Sequence, residues 1–332
     1  MSVEIVPFGP EHLEDAARLL AARHRADRSR SPRLPEQFDE PAECLPLVEA
    51  EWSMAGAFGA VALRDGRMAG YLIGRPWLGR PVLRERSGWV DYAGHAVEAD
   101  DAVDLYRALY AAVAPRWLER GCFAHYVTLP ATDATALDAW YSLGFGRWHI
   151  AAVRDVAPPA AMSHAAGVEV HEAGEEDLDV VFRLRRGLGI YHTAAPMFEP
   201  YLFDQTELRA ETLGRLRDPR HRVLLAVRGG EPFGMLALSA PDPPRMMATT
   251  GGIHIDEAFV EVAVRGGGAG SMLLDAALRQ ARDDGYQWSG VSWRAANLSG
   301  SRFWLGNGFR PVFVRVLREV DARIAWARAA DR

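Results

Sequence analysis

The chain contains no lysine, so all 38 basic residues among its 332 are arginine. That absence removes the G-K-[ST] phosphate loop, whose lysine reaches the nucleotide phosphates. Cysteine is nearly missing as well. Cys44 and Cys122 are too few for a disulfide framework or a cysteine-rich metal site, and no metal is expected. No apolar run reaches the ~18 residues of a membrane span. Met1-Ser2-Val3-Glu4-Ile5 lacks the basic start and apolar stretch of a secretory leader. The expectation is a cytoplasmic protein with no membrane partner. Excess positive charge is absent too: the net charge is −6, and the arginines are scattered among acids rather than gathered in a stripe. This argues against a nucleic-acid partner. The densest basic segment, Arg23 to Arg33, contains Asp27, two serines and a proline. It reads as a solvated loop after the first helix.

What is present is a soluble globular composition, 49% hydrophobic and 25% charged, in a length that suits two domains. The sequence also repeats itself. Val3-Glu4-Ile5 and the helical stretch from Glu11 return as Val168-Glu169-Val170 and the stretch from Glu176, 165 residues later. A strand, tight turn and strand at Ala60–Leu63, Asp65-Gly66 and Gly70–Ile73 return at Leu224–Val227, Gly229-Gly230 and Gly234–Ala237, the second strand 164 residues on. Helices ending at Gly121 and Gly285 keep the 164-residue offset, as do Trp140, Gly144 and Phe145 with Trp304, Gly308 and Phe309. Each copy reads strand, helix, hairpin, strand, helix, strand, helix, strand. The implied fold class is α/β (α+β layered), with two tandem domains, each a mixed, mostly antiparallel sheet flanked by helices. The expected boundaries are 1–156 and 168–332, joined by a proline- and alanine-rich linker at 157–167.

The most informative segment is Val260-Glu261-Val262-Ala263-Val264-Arg265-Gly266-Gly267-Gly268-Ala269-Gly270-Ser271. An apolar strand ends near Val260, a glycine-rich turn follows, and a helix starts between Gly268 and Ser271, its apolar face carried by Leu273, Leu274, Ala277, Leu278 and Ala281. Glycines let the backbone approach a ligand closely. The first N–H groups of a helix lack internal partners and sit at the positive end of the dipole, which suits a pyrophosphate. The G-x-G-x-x-G dinucleotide fingerprint does not fit, because Ser271 stands at its third glycine and the turn falls late in its domain.

The motif Arg265-x-x-Gly268-x-Gly270 and the element order resemble the GNAT superfamily of acyl-CoA N-acyltransferases, whose signature is [RQ]-x-x-G-x-[GA] between the fourth strand and the following helix. A second match is Asn297-Leu298-Ser299-Gly300-Ser301-Arg302-Phe303-Trp304 with Gly308-Phe309, where the family has an Asn after the fifth strand and a helix ending in Gly-Phe. The resemblance is strong over about 168 to 320 and in outline only over 3 to 156. It implies that turn amides from Gly266, Gly267, Gly268, Ala269, Gly270 and Ser271 hold the pyrophosphate of acetyl-CoA. It also implies that strand edges near Phe259, Val260 and Val262 pair with the pantetheine arm, and that the fourth and fifth strands splay to admit the thioester. Asn297 is either a plain N-cap or a cap that also bonds the pantetheine. The family's usual acid is a tyrosine seven residues after the Asn; here Trp304 stands there, and an indole N–H is no useful proton source. Trp304 borders the cofactor or serves the core. For the general base, the family's fourth strand offers His254, Asp256 and Glu257. Alternation puts His254 and Asp256 on one face and Glu257 on the other unless a bulge intervenes.

In the first copy the same offset places Asp101, Asp104 and Tyr106 where the second has Arg265, Gly268 and Gly270. Carboxylates about 4 Å from a phosphate repel it by ~4 kcal/mol at an effective dielectric of 20, more than a helix N-terminus returns. The first copy is expected to be degenerate and silent. Gly189 to Tyr201, aromatic and proline-stiffened, reads as either a wall for the acceptor or a packed loop. Together these imply a single-site N-acetyltransferase acting on the amine of a small molecule, as monomer or homodimer. A non-catalytic acyl-CoA-binding sensor on the same fold is the alternative, and another acyl-CoA the rival co-substrate.

Overall fold

The computed structural model describes residues 3–78, 86–157, 165–200, 204–240 and 251–329. The expected linker falls mostly on 158–164, outside the described residues. In chain order the elements are β1 (Val3–Pro7), α1 (Leu13–Arg30), α2 (Pro41–Ser53), β2 (Phe58–Arg64), β3 (Arg67–Trp77), β4 (Ser87–Val90), β5 (His95–Val97), α3 (Ala102–Glu119), β6 (Ala124–Pro130), α4 (Ala134–Ser142) and β7 (Gly146–Asp155). Then follow β8 (Val168–Glu172), α5 (Leu178–Thr193), α6 (Gln205–Arg217), β9 (His221–Arg228), β10 (Glu231–Ser239), β11 (Gly252–Val260), α7 (Ala269–Asp283), β12 (Trp288–Arg294), α8 (Leu298–Gly306), β13 (Arg310–Glu319) and α9 (Ile324–Ala329). The repeat is visible in this order, with a second helix, α2 or α6, ahead of the hairpin in each copy, and with β5 and α9 besides.

Two compact units result. The first comprises 1–150 and 311–332, the second 151–244 and 250–310, apart from a short segment outside the described residues. They do not follow the halves of the repeat. The last strand, β13, pairs antiparallel with β6 in the first unit, Phe313 opposite Pro130 through Glu319 opposite Ala124. The end of β7, from Ala151, belongs to the second unit. Each unit thus completes itself with a segment from the other half of the sequence.

In the first unit the sheet runs β1-β2-β3-β4-β6-β13, with β5 on β3. In the second it runs β7-β12-β11-β10-β9-β8. Each contains one parallel pair, β4 with β6 and β11 with β12. Both hairpins turn on two residues with positive φ, Asp65-Gly66 and Gly229-Gly230, the backbone that matches strand twist in a two-residue loop. The second unit's core joins Val181 and Leu184 of α5 to Val223, Leu225, Met235 and Phe259 of the sheet. On the other helix, α7 buries Leu273, Leu274, Ala277, Leu278 and Ala281, the stripe expected from the sequence.

Two sequence expectations fail. Arg23 to Arg30 is not loop: α1 runs to Arg30 and buries Arg23, His24 and Asp27. The charge run is read correctly as helix only if its charges satisfy one another, and Arg23 and Asp27, four apart, lie on one face. Gly189 to Thr193 is likewise the last turn of α5 rather than loop.

Candidate functional site

The second unit contains a cavity of about 440 Å³, bounded by the C-terminal part of β11, the turn before α7, and the first turns of α7 and α8. One end is the glycine turn. Gly266 and Gly268 hold φ of +87° and +85°, a conformation that strongly favours glycine. A Cβ at Gly266 would meet nothing within 4 Å, so open space lies over the turn. Gly268 is the N-cap of α7. The first intrahelical bond is donated by the Met272 amide to the Gly268 carbonyl at 3.0 Å, which leaves the amides of Ala269, Gly270 and Ser271 without helical partners. These form an anion cradle of the kind a pyrophosphate needs.

The other end is made by strands that part. β11 and β12 pair only from Gly252–Trp288 to Ile255–Val291, although β11 continues to Val260 and β12 to Arg294. The register with β10 also slips, Ala237 facing Glu257 and Leu238 facing Ile255, so Asp256 is the extra residue of a bulge. A bulge bends its strand and re-aims side chains, which explains why simple alternation cannot assign faces here. Beyond it Ala258, Phe259 and Val260 border the cavity.

Asn297 caps α8: its Oδ1 accepts from the Gly300 amide at 2.9 Å and from Ser299 Oγ at 3.1 Å. Ser299 Oγ lies 2.8 Å from the Tyr191 hydroxyl. The Arg265 guanidinium stacks 4.1 Å from the Tyr191 ring centre while its Nε donates to the Val260 carbonyl at 2.9 Å. Burial pushes the Tyr191 phenol up, but Ser299 and Arg265 together bring it below the ordinary tyrosine value. Trp304 is buried edge-on against Phe309, 5.3 Å between ring centres, and also borders the cavity.

Of the expected cofactor residues, Phe259, Val260, Arg265, Gly266, Gly268, Ala269, Gly270, Ser271, Asn297 and Trp304 all line this cavity. Val262 and Gly267 do not. Val262 sits in a short turn with 60% of its surface exposed.

The three carboxylate and imidazole candidates lie outside the lining and separate into two groups. His254 Nδ1 and Ser239 Oγ both reach Asp256 Oδ1 at 3.0 Å. Burial raises the Asp256 carboxyl, yet the His254 hydrogen bond and charge outweigh it and leave its pKa below normal. His254 keeps Nε2 clear of this pair and is partly exposed. Glu257 is otherwise engaged. Arg185 grips it through Nε to Oε2 at 2.9 Å and Nη2 to Oε1 at 2.8 Å, and Arg215 adds a bond at 3.0 Å. Arg185 is buried and further tied to Thr212 at 2.7 Å. This ion pair joins α5, α6 and β11, and its bidentate geometry gives it a positioning role.

Residues 188–306 match the family model for the acetyltransferase (GNAT) family. A GNAT domain thus lies at 188–306, within the second unit. No curated protein matches the sequence. Among solved structures, the chain resembles a GCN5-related N-acetyltransferase from Sphaerobacter thermophilus over 96% of its own length and 95% of the other, with 18% identity and a TM-score of 0.61. It also resembles a GCN5-related glucosamine N-acetyltransferase region in a fungal multi-domain GH3 β-N-acetylglucosaminidase, at 13% identity and a TM-score of 0.55, covering 95% of this chain and 38% of that one. At these identities the likeness establishes the fold.

The corresponding place in the first unit is filled. Measured by the repeat, Arg23 stands where the GNAT domain has Leu188, His95 where it has Phe259, and Tyr106 where it has Gly270. All three are buried. Arg23 donates to the Tyr92 carbonyl at 2.7 Å and to the His95 carbonyl, and lies 3.6 Å from Asp27. The Tyr92 hydroxyl donates to Asp27 at 2.7 Å, and His95 Nε2 bonds the Thr128 carbonyl at 2.9 Å. The turn is gone as well. With helix ends aligned, α3 begins three residues earlier than α7, so its first turn replaces the glycine turn. Its carboxylates are partly neutralised, Asp101 by Arg64 at 3.1 Å and Asp104 by Arg107 at 3.4 Å. Filling, more than charge, distinguishes this unit.

Tyr191, Ser299, Arg185 and Arg215 were not singled out by the sequence. Tyr191 lay within the aromatic segment noted there and Ser299 within the Asn297 motif; Arg185 and Arg215 carry no local signal. Among the described residues no cluster suits a metal ion, and no helix is long and apolar enough to cross a membrane.

Proposed function

We propose that the protein is an N-acetyltransferase that moves an acetyl group from acetyl-CoA to the amine of a small molecule, with all chemistry in the GNAT domain. The observation that carries this reading is the joining, in one cavity, of a glycine cradle at a helix N-terminus with a gap between parting strands. The residues fit the co-substrate. The amides from Gly266 to Ser271 hold the pyrophosphate, the β11 edge at Phe259 and Val260 receives the pantetheine amides, and Asn297 orients the arm. Arg265 leaves the Val260 carbonyl when the arm enters. The first unit, filled by Arg23, His95 and Tyr106, binds no coenzyme A.

His254 takes the amine proton through a water, with Asp256 holding its Nδ1–H and leaving Nε2 as acceptor. Glu257, gripped by two arginines, positions α5 and α6 against the strand instead of accepting the proton. Glucosamine, the amine named for one structural neighbour, is a small molecule of the class proposed.

Calorimetric titration with acetyl-CoA tests the reading. One site per chain is expected in the native protein and none in the Gly268→Asp, Gly270→Asp variant, while His254→Ala binds normally and loses transfer about 10²-fold or more in a thiol-release assay. Two sites per chain would overturn the silent first unit, and no binding would remove the acetyltransferase reading.

A further inference from the structure

The position of the family's acid is occupied by Trp304, which cannot supply a proton, yet the Tyr191 hydroxyl belongs to a residue bordering the same cavity. We infer that Tyr191, contributed by α5, is the proton donor to the departing sulfur. This rests on the acetyltransferase reading of the same cavity.

Four observations converge on it. Tyr191 borders the cavity together with Asn297, Ser299 and Trp304. Its hydroxyl is directed at Ser299 Oγ, 2.8 Å away. Ser299 spends its own hydrogen on Asn297 Oδ1 at 3.1 Å, so in this pair Tyr191 is the donor. A donor whose acceptor among the described residues is a surface-accessible hydroxyl can be recruited by a better one, and a thiolate is better. Third, Arg265 packs its guanidinium against the ring, a cation that stabilises the phenolate left after transfer. Its place in the glycine motif couples that support to occupancy of the cradle. Fourth, the residue belongs to the open copy alone: the repeat offset puts Ala26 at its place in the first unit.

The step balances without a further reactant. The amine nitrogen bonds to the thioester carbon while its proton passes toward His254. The C–S bond then breaks, sulfur keeps the electron pair, and the Tyr191 O–H proton moves to it. Coenzyme A thiol, the amide and a phenolate result. The phenolate regains a proton from solvent, to which His254 releases its own.

The same hydroxyl should be detectable without any acceptor, because a donor aimed at sulfur favours the thiolate of bound coenzyme A. Calorimetry at pH 8 in two buffers of different ionisation heat counts the protons released on binding. Taking a thiol near 8.5 lowered by about one unit, coenzyme A releases about half a proton when it binds. Acetyl-CoA has no thiol and serves as the reference, so contributions from His192 and the phosphates cancel in the difference. In Tyr191→Phe, which keeps the ring and its stacking, the difference should vanish while acetyl-CoA affinity stays within about threefold. An unchanged difference in this variant overturns the role of Tyr191 and leaves the acetyltransferase reading intact. Absence of acetyl-CoA binding by the native protein overturns both.

Discussion

The two units carry the same chain pattern to opposite ends. In the GNAT domain, Leu188, Phe259 and Gly270 border an open cavity. In the first unit the matching Arg23, His95 and Tyr106 are buried and joined in one hydrogen-bonded cluster. The lesson is that a site of this fold is lost by infilling at least as effectively as by decay of its motif. Once the glycine turn becomes helix and a tyrosine replaces the glycine beside it, the volume must be packed. Large side chains with polar tips pack it, and each tip then needs a partner, since an unpaired buried donor or acceptor costs about 1–3 kcal/mol. The result is an aromatic and ionic core where the other unit keeps space.

That contrast can be broken from the filled side. Arg23→Leu gives the first unit the residue that its counterpart has. Asp27, 1% exposed and 3.6 Å from the Arg23 guanidinium, would lose its main counter-charge, although burial already pushes its pKa up. Removing one member of a buried pair costs roughly 3–5 kcal/mol. Urea denaturation should show that loss with no gain of a second acetyl-CoA site. A loss below about 1 kcal/mol would mean that the pair does not hold this core.

Acid offers a second handle, because the filled unit buries His24, His95 and His125 while the GNAT domain leaves His254 partly exposed. Burial pushes His125 down from 6.5 to about 4, its Nε2 bonded to the Cys122 carbonyl at 3.0 Å and its Nδ1 2.8 Å from the Tyr110 hydroxyl. Between those values the unfolded chain binds a proton at this residue and the folded chain does not. Stability therefore falls as pH drops from 6.5 toward 4, by about 3 kcal/mol for this group alone. His24 and His95, both also lowered by burial, add to it with the same sign. Denaturation at pH 7 and pH 4.5 should show a smaller acid loss in His125→Gln than in the native protein; equal losses would remove His125 from the account.

Much of this was legible before any coordinates. The repeat, the layered α/β class and the glycine turn follow from periodicity and spacing, because hairpin glycines and helix stripes are local signals. Ten of the twelve expected cofactor residues line one cavity. Long-range partnerships were not legible. The burial of Arg23 depends on Tyr92 and His95, some seventy residues away; the capture of Glu257 depends on Arg185, 72 residues away. Ionic side chains look alike in sequence whether solvated or paired in a core. The exchange of β13 and the end of β7 between units was hidden for the same reason, since a strand's sequence does not name the strand beside it.

The smallest expected effect gives the sharpest comparison, because it sets two matched residues against each other. Asp133 and Asn297 stand 164 residues apart and cap equivalent helices, each accepting a backbone N–H at 2.9 Å, from Ala136 and from Gly300. As caps alone they are equivalent, and replacing either with alanine should cost about 1 kcal/mol of stability. Only Asn297 borders the cavity. If it also bonds the pantetheine arm, Asn297→Ala should weaken acetyl-CoA binding about tenfold, the loss of one hydrogen bond worth roughly 1.4 kcal/mol, while Asp133→Ala leaves binding unchanged. Thermal melts and calorimetry on the two variants separate the terms. Equal stability losses with unequal affinities would mark Asn297 as cap and ligand contact together, whereas unchanged affinity in both would reduce it to a cap.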